Sequence, residues 1–140
     1  MIKVLVSKQS NYPVGVTAIK KKLAEFLALK GIVSDAVVNV AIVSEKKMLE
    51  VQKKYFKEKN TSSHLGYQES GKKPHNVLSF VPSEAKGGFV YPPDGKVYLG
   101  EIIVCFPVAV LEAKEENVLI DTKVYELVEH GALHLLGFHH

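Results

Sequence analysis

The side chains best suited to metal chemistry are concentrated at the end of the chain, where His130, His134, His139 and His140 fall within eleven residues. Residues four apart on a helix point to the same side, with Cβ atoms about 6 Å apart, so His130 and His134 can share one ion. Gly137 allows the backbone to leave the helix in a left-handed conformation and to turn a following residue back toward that ion. We therefore predict that His140 is the third ligand.

Three neutral nitrogen donors leave one position of a tetrahedral ion open, which is typical of a catalytic zinc and not of a closed structural site. A water at that position would be acidified toward a pKa of ~7 and would become a nucleophile at neutral pH. The spacing predicts one zinc ion per chain, held by His130, His134 and His140, in a hydrolase.

The spacing H-x3-H-x2-G-x2-H resembles the ligand frame of the metzincin proteases, with one difference. Those proteases have a glutamate as general base directly after the first histidine, where this chain has Gly131, which can neither accept nor donate a proton. A peptidase is therefore disfavoured. A phosphodiester beside a ribose 2′-hydroxyl carries its own nucleophile and can be cleaved with help from a metal and cations, so RNA is the expected substrate.

The composition indicates one domain covering residues 1–140, because 140 residues of which 46% are hydrophobic can bury one core. No uncharged apolar run of about 18 residues occurs, and the chain opens on a strand-like segment without the pattern of a secretory signal. We expect a cytoplasmic protein without membrane contact, and a monomer. The single cysteine, Cys105, allows no intrachain disulfide and is expected to be buried.

Charge permits a nucleic-acid partner without requiring one. The net charge is +3, and all 18 basic residues are lysine, so phosphate contacts must use mobile ammonium groups. The helix predicted from Glu45 to about Phe56 carries lysines on its outer side. Lys53 and Lys54 are candidates for substrate binding there, while a solvated face is the alternative.

Periodicity and turn residues predict an α+β fold, in which a mixed, mostly four-stranded sheet packs with about four helices. Strands are expected at 1–7, 36–43, 76–80 and 97–106, the last two as an antiparallel hairpin. Helices are expected after a Thr17 cap, after a Ser44 cap, from Pro107 to about Glu116, and from Asp121 or Thr122 to Leu136. Residues 58–74 are polar and unpatterned, which predicts a long loop.

Three motifs in order resemble the YbeY-type endoribonucleases, also described as ribosomal RNA maturation factors. The C-terminal segment is similar to that family's H-G-x-L-H-L-x-G-[YF]-D-H; residues 76–80, NVLSF, resemble its [DN]-V-L-S-F strand; residues 99–104, LGEIIV, resemble its L-G-[DE]-I strand. The N-terminal third matches only as a plausible strand–helix–strand. The resemblance implies a zinc-dependent endoribonuclease for single-stranded RNA, which processes the 3′ end of small-subunit rRNA and takes part in ribosome quality control. It also implies a four-stranded mixed sheet, with the histidines lining a cleft.

The chain departs from the family pattern in four ways. The family has a basic residue, usually arginine, near the end of the second helix; here Lys57, or else Lys54, would have to stabilise charge in the transition state. His139 replaces the aspartate before the last ligand. The connection over residues 57–74 is about a dozen residues longer than expected. The sequence stops at His140, where the family usually continues. A terminal carboxylate beside the metal could then join the ligands, or the natural chain could be longer.

Other polar residues are weaker candidates. Asn76 and Ser79 could bind RNA near the cleft, or satisfy their own loop and strand ends. Glu101 could orient a ligand, although a strand carboxylate more often faces solvent or pairs with a lysine. Two other functions remain open: a non-catalytic, ribosome-associated RNA-binding factor with a structural metal, and a metallopeptidase.

Overall fold

The computed structural model describes residues 1–59, 73–82 and 97–138, and for residues 55–59 it describes the backbone alone. The strands are β1 (Ile2–Lys8), β2 (Ala36–Val43), β3 (Val77–Phe80) and β4 (Val97–Cys105). The helices are α1 (Val16–Leu29), α2 (Glu45–Lys59), α3 (Phe106–Glu116) and α4 (Ile120–Leu135). The predicted α+β class, with four strands and four helices in the described residues, is confirmed.

The four strands form one mixed sheet in the order β1-β2-β4-β3. Strands β1, β2 and β4 are parallel, and β3 pairs antiparallel with β4, which confirms the predicted hairpin pairing. The register of β2 and β4 shifts by one residue, because Val37 pairs with Tyr98 but Val38 pairs with Gly100. The extra residue is Leu99, which makes a bulge beside the glycine.

The two faces of the sheet bury different apolar clusters. The larger cluster, here called the first core, lies on the face covered by α1 and α4 and includes Val40, Ile102 and Val104. The smaller one, the second core, includes Ile103 and Cys105 and is covered by α2. Alternation along β4 sends neighbouring residues to opposite faces, so each strand residue can be assigned to one core.

Several helix ends differ from the predicted ones. Ser44 caps α2 as expected, since its hydroxyl accepts the backbone N–H of Lys47 at 3.1 Å. Thr17 does not cap α1, because the helix begins at Val16 after Gly15, without a side-chain cap. Helix α4 begins at Ile120, one or two residues before the predicted starts at Asp121 or Thr122. Its N-cap residue has an extended backbone and also lacks a side-chain cap. The predicted long loop lies mostly outside the described residues.

Across the described ranges, no helix combines the length and apolar character that a membrane crossing needs.

Candidate active site

His130 and His134 lie on one flank of α4, one turn apart. Their ring centres are 5.0 Å apart, and the ring planes make an angle of 79°. His130 is exposed and His134 is half-buried. The opposite flank faces α1, because the hydroxyl of Tyr125 donates to the carbonyl oxygen of Lys22, and His134 is rotated by about 180° from Tyr125 around the helix. Since α4 lies over β3 and β4, the histidine flank is the one nearer the edge strand β3.

This spacing fits shared coordination of one ion. Zinc binds imidazole nitrogen at about 2.0–2.1 Å with tetrahedral angles, which places two coordinating ring centres about 5 Å apart. The observed distance of 5.0 Å between the ring centres is compatible with that separation. Two of the three predicted ligands therefore lie close enough together to share one ion.

The third predicted ligand, His140, and the neighbouring His139 lie outside the described residues. Among residues 1–54, 73–82 and 97–138, no three histidine, cysteine, aspartate or glutamate side chains come together as a metal-binding group. Gly137 does leave α4 with φ 92°, the left-handed conformation expected of it. The prediction that His140 completes the site therefore stays a prediction.

Gly131, which stands where the metzincins have their glutamate base, also has a role in packing. A Cβ built at Gly131 would lie 2.7 Å from Cγ2 of Ile102 and 3.3 Å from its Cγ1. Ile102 is fully buried in the first core, so it cannot move aside into solvent. The helix can approach β4 this closely only with glycine at this position, and the glutamate of a metzincin would not fit.

Gly100 makes a second close approach between α4 and the sheet. A Cβ there would overlap the carbonyl oxygen of Phe80 and lie 2.7 Å from Cδ2 of Leu135. Ser79 pairs directly with Ile102 across the hairpin and shares the face of Val77, a residue that packs against the first core. The three motifs that suggested the family therefore meet in one place, where strands β3 and β4 support the histidine helix.

We expect Gly131→Ala to lower the free energy of unfolding by about 1–3 kcal/mol, because the new methyl group overpacks against Ile102. The sign of this expected change is informative, because replacing a glycine inside a helix with alanine normally raises the free energy of unfolding by roughly 1 kcal/mol. Urea denaturation of single and double variants measures it. Ile102→Ala should relieve part of the added loss, whereas Ile102→Val, which keeps both contacting carbons, should not. Additive effects in both pairs would contradict this account.

A buried lysine fixes the first half of α4. Lys123 is 5% exposed, and its Nζ donates to Glu116 at 2.7 Å and to Glu126 at 3.3 Å. It also lies 3.6 Å from Glu112, whose carboxylate accepts both 3.1 and 3.2 Å hydrogen bonds from the amide of Asn76. The side-chain oxygen of Asn76 accepts the N–H of Val77 at 2.7 Å. In this structure Asn76 therefore joins the start of β3 to α3 and, through Glu112, to the histidine helix.

Hydrogen bonding to Glu116 raises the pKa of Lys123 above the ordinary lysine value, against the opposing effect of burial. The stabilisation is therefore present below about pH 10.4, the unfolded lysine value, and is lost as pH rises through the raised pKa. We expect Lys123→Met to lower the unfolding free energy by about 1–2 kcal/mol at pH 7, since the carboxylates are partly exposed. Denaturation at pH 7 and above pH 11 should show this deficit shrinking. The exposed Lys114→Met is the control, and a deficit independent of pH would contradict the assignment.

The side chains of Lys53 and Lys54 lie on the other side of the sheet from the histidine pair. Helix α2 covers the second core, on the face opposite α4, and there Lys53 and Lys54 are exposed. The structure does not bring these two side chains to the histidine pair, and the side chain of Lys57 lies outside the described part. Alternation along β4 also assigns Glu101 to the face of Ile103, across the sheet from the histidine helix.

Gln52 is a structural residue that the sequence analysis did not identify. Its side chain is fully buried, donating to the carbonyl of Lys73 at 2.9 Å and accepting the N–H of His75 at 2.6 Å. It thus fixes the segment that leads into Asn76 and β3. Burial lowers the pKa of His75 at this position. The available signal was the spacing of four residues between Met48 and Gln52, which places the amide on the inner side of α2.

The comparisons with known proteins agree with the motif resemblance. A family model described as "Endoribonuclease YbeY" matches residues 6–140. A Roseiflexus protein named endoribonuclease YbeY is 40% identical over 67 residues, covering 48% of this chain and 42% of the relative. An Acinetobacter baumannii protein of the same name is 37% identical over 86 residues, covering 59% and 51%. The chain spans about half the length of the curated relatives it matches.

The fold also has a counterpart among solved structures. A solution structure of a Thermotoga maritima protein superposes with a TM-score of 0.52, covering 98% of this chain and 74% of the other, at 24% identity. At that identity the likeness concerns the fold alone. Because the family model covers nearly the whole sequence, and because its three motifs converge on one helix–sheet contact, the chain belongs to the YbeY endoribonuclease family.

Proposed function

We propose that this chain is a zinc-dependent endoribonuclease that cleaves single-stranded RNA in the cytoplasm. The observation that carries the proposal is the pair His130 and His134, whose ring spacing of 5.0 Å suits one shared ion beside the edge of the sheet. The family membership supports nuclease activity over other hydrolase activities. We further propose that the substrate is ribosomal RNA, notably the 3′ end of the small-subunit rRNA, and that the activity serves ribosome quality control.

In this mechanism His130 and His134 hold the ion together with His140. Bound zinc would supply a Lewis acid for the phosphoryl oxygens and lower the pKa of a water toward ~7. Gly131 offers no proton acceptor, so no carboxylate base acts from that position. Ser79 lies on the face of the sheet that α4 covers, and we propose that its hydroxyl donates a hydrogen bond to the RNA. The cation for the transition state is proposed to come from Lys57, while Lys53 and Lys54 bind more distant phosphates.

Two alternatives are tested together with this proposal. A metallopeptidase has less support, because the packing of Gly131 against Ile102 leaves no room for the usual glutamate base. A non-catalytic RNA-binding factor with a structural metal would bind RNA by the same surfaces and leave it intact.

The deciding experiment incubates the purified chain with single-stranded RNA that spans a small-subunit rRNA 3′ end, with duplex RNA and with casein. We expect cleavage of the single strand, loss of cleavage with a chelator, and recovery on adding zinc. RNA binding without cleavage at any metal concentration would favour the non-catalytic factor. Cleavage of casein would favour the peptidase.

A further inference from the structure

Helices α1 and α4 end in the same way. At the end of α4 the N–H of Gly137 donates to the carbonyl of His134 at 3.0 Å, and the N–H of Phe138 donates to that of Leu133 at 2.9 Å. These two bonds with a left-handed glycine define a Schellman motif, which holds the residue after the glycine in a fixed direction. Helix α1 ends in the same motif at Gly31, which has φ 104°.

The two helix ends bring a lysine and aromatic rings together at the surface. The ammonium nitrogen of Lys30 lies 5.7 Å from the ring centre of Phe138 and 5.5 Å from that of Phe26. Phe138 remains 52% exposed, and Lys30 is exposed as well. An ammonium at this distance is attracted by the ring faces. The result is a solvent-accessible phenyl ring with a positive charge beside it.

We propose that Phe138 and Lys30 form a nucleotide subsite for single-stranded RNA, an inference that rests on the proposed function. A base stacks on the open part of the Phe138 ring, and the ammonium of Lys30 contacts the adjoining phosphate. Proteins that bind single strands without sequence preference combine aromatic platforms with positive charge in this way. The fixed backbone of both helix ends favours binding, because little conformational entropy is lost at the platform.

The position of this subsite suits a nucleotide other than the one that reacts. Phe138 follows His134 by four residues, just beyond the end of α4, while its partner Lys30 belongs to α1. The histidines project from the flank of α4 that faces away from α1. An RNA strand bound both at the subsite and at the histidine pair would therefore pass over the C-terminal end of α4. The subsite holds a base of that strand, and the histidine pair acts on the phosphodiester.

Binding of a short 2′-O-methyl oligouridylate in the presence of a chelator tests the subsite separately from cleavage, because neither a ribose hydroxyl nor a zinc-activated water is then available as a nucleophile. Phe138→Ala should raise the Kd by about 5- to 160-fold, the range for loss of one stacking contact, and Phe138→Tyr should stay near the parent. Lys30→Gln should reduce the slope of log Kd against log salt by about 0.7, corresponding to one lost phosphate contact. The controls Leu111→Ala and Lys114→Gln alter an exposed apolar side chain and an exposed lysine on α3.

The outcomes separate this proposal from the proposed function. Parent-like affinity and salt dependence in both Phe138→Ala and Lys30→Gln, with thermal unfolding unchanged, would overturn the subsite even if the chain cleaves RNA. The expected losses, with the controls unaffected, would support the subsite even if unmodified RNA is never cut. In that case the nuclease activity, and not the subsite, would be wrong.

Discussion

His134→Ala is expected to reduce the rate of single-stranded RNA cleavage at least about 100-fold. Loss of even an outer partner of a metal-bound histidine costs 10- to 100-fold, and loss of the ligand itself should cost more. Initial rates with a labelled single-stranded RNA at saturating zinc measure the effect.

The matched control for this experiment is His75→Ala, which removes another half-buried histidine, located in the segment before β3. Its cleavage rate should stay within a few-fold of the parent. The double variant His130→Ala/His134→Ala should be no slower than His134→Ala alone, because ligands of one ion act as a unit. Retention of more than a tenth of the parent rate in His134→Ala would contradict the assigned role.

Gly100→Ala should have the largest effect on stability, lowering the unfolding free energy by about 2–6 kcal/mol. Gly100 has φ 140°, a conformation that costs other residues about 1–3 kcal/mol. The added methyl would also overlap the carbonyl oxygen of Phe80 and press on Leu135, which adds a cost of about 1–3 kcal/mol. Because Leu135 directly follows His134, cleavage should fall as well. Chemical denaturation followed by circular dichroism measures the stability.

Gly31→Ala separates these two contributions. Gly31 also has a positive φ, 104°, but a Cβ there meets nothing within 4 Å. Its replacement should therefore cost only the backbone strain, about 1–2 kcal/mol. Equal losses in Gly31→Ala and Gly100→Ala would show that the contact with Phe80 and Leu135 is unimportant for seating α4.

The sequence predicted the sheet and its pairing well because the signals are local. The apolar run of β2 predicted its bounds from Ala36 to Val43, and the short strand with Ser79 was recognised next to its hairpin partner β4. Helical spacing alone predicted that His130 and His134 lie one turn apart on α4, and their ring centres are 5.0 Å apart. Their role as metal ligands stays a prediction. The third ligand and Lys57 could not be confirmed, since His140 and that side chain lie outside the described residues.

Contacts between distant elements could not be predicted from these patterns. Lys123 looks like a surface charge in sequence, and only the packing of α3 against α4 surrounds it with carboxylates. Asn76 is a candidate RNA contact by pattern, yet its amide is bonded to Glu112 in the folded chain. The glycines were recognised as motif residues, but their physical reason, the close approach of Gly131 to Ile102, needs three-dimensional contacts.

Metal content is the most direct test of the central claim that the histidines share one ion. Elemental analysis of the purified chain, dialysed against zinc and then against buffer, should find one zinc per chain. His130→Ala/His134→Ala, with unchanged circular dichroism, should retain less than a tenth of that amount, while His75→Ala should retain all of it. Zinc bound equally by the parent and by the double variant, or by neither, would contradict the account.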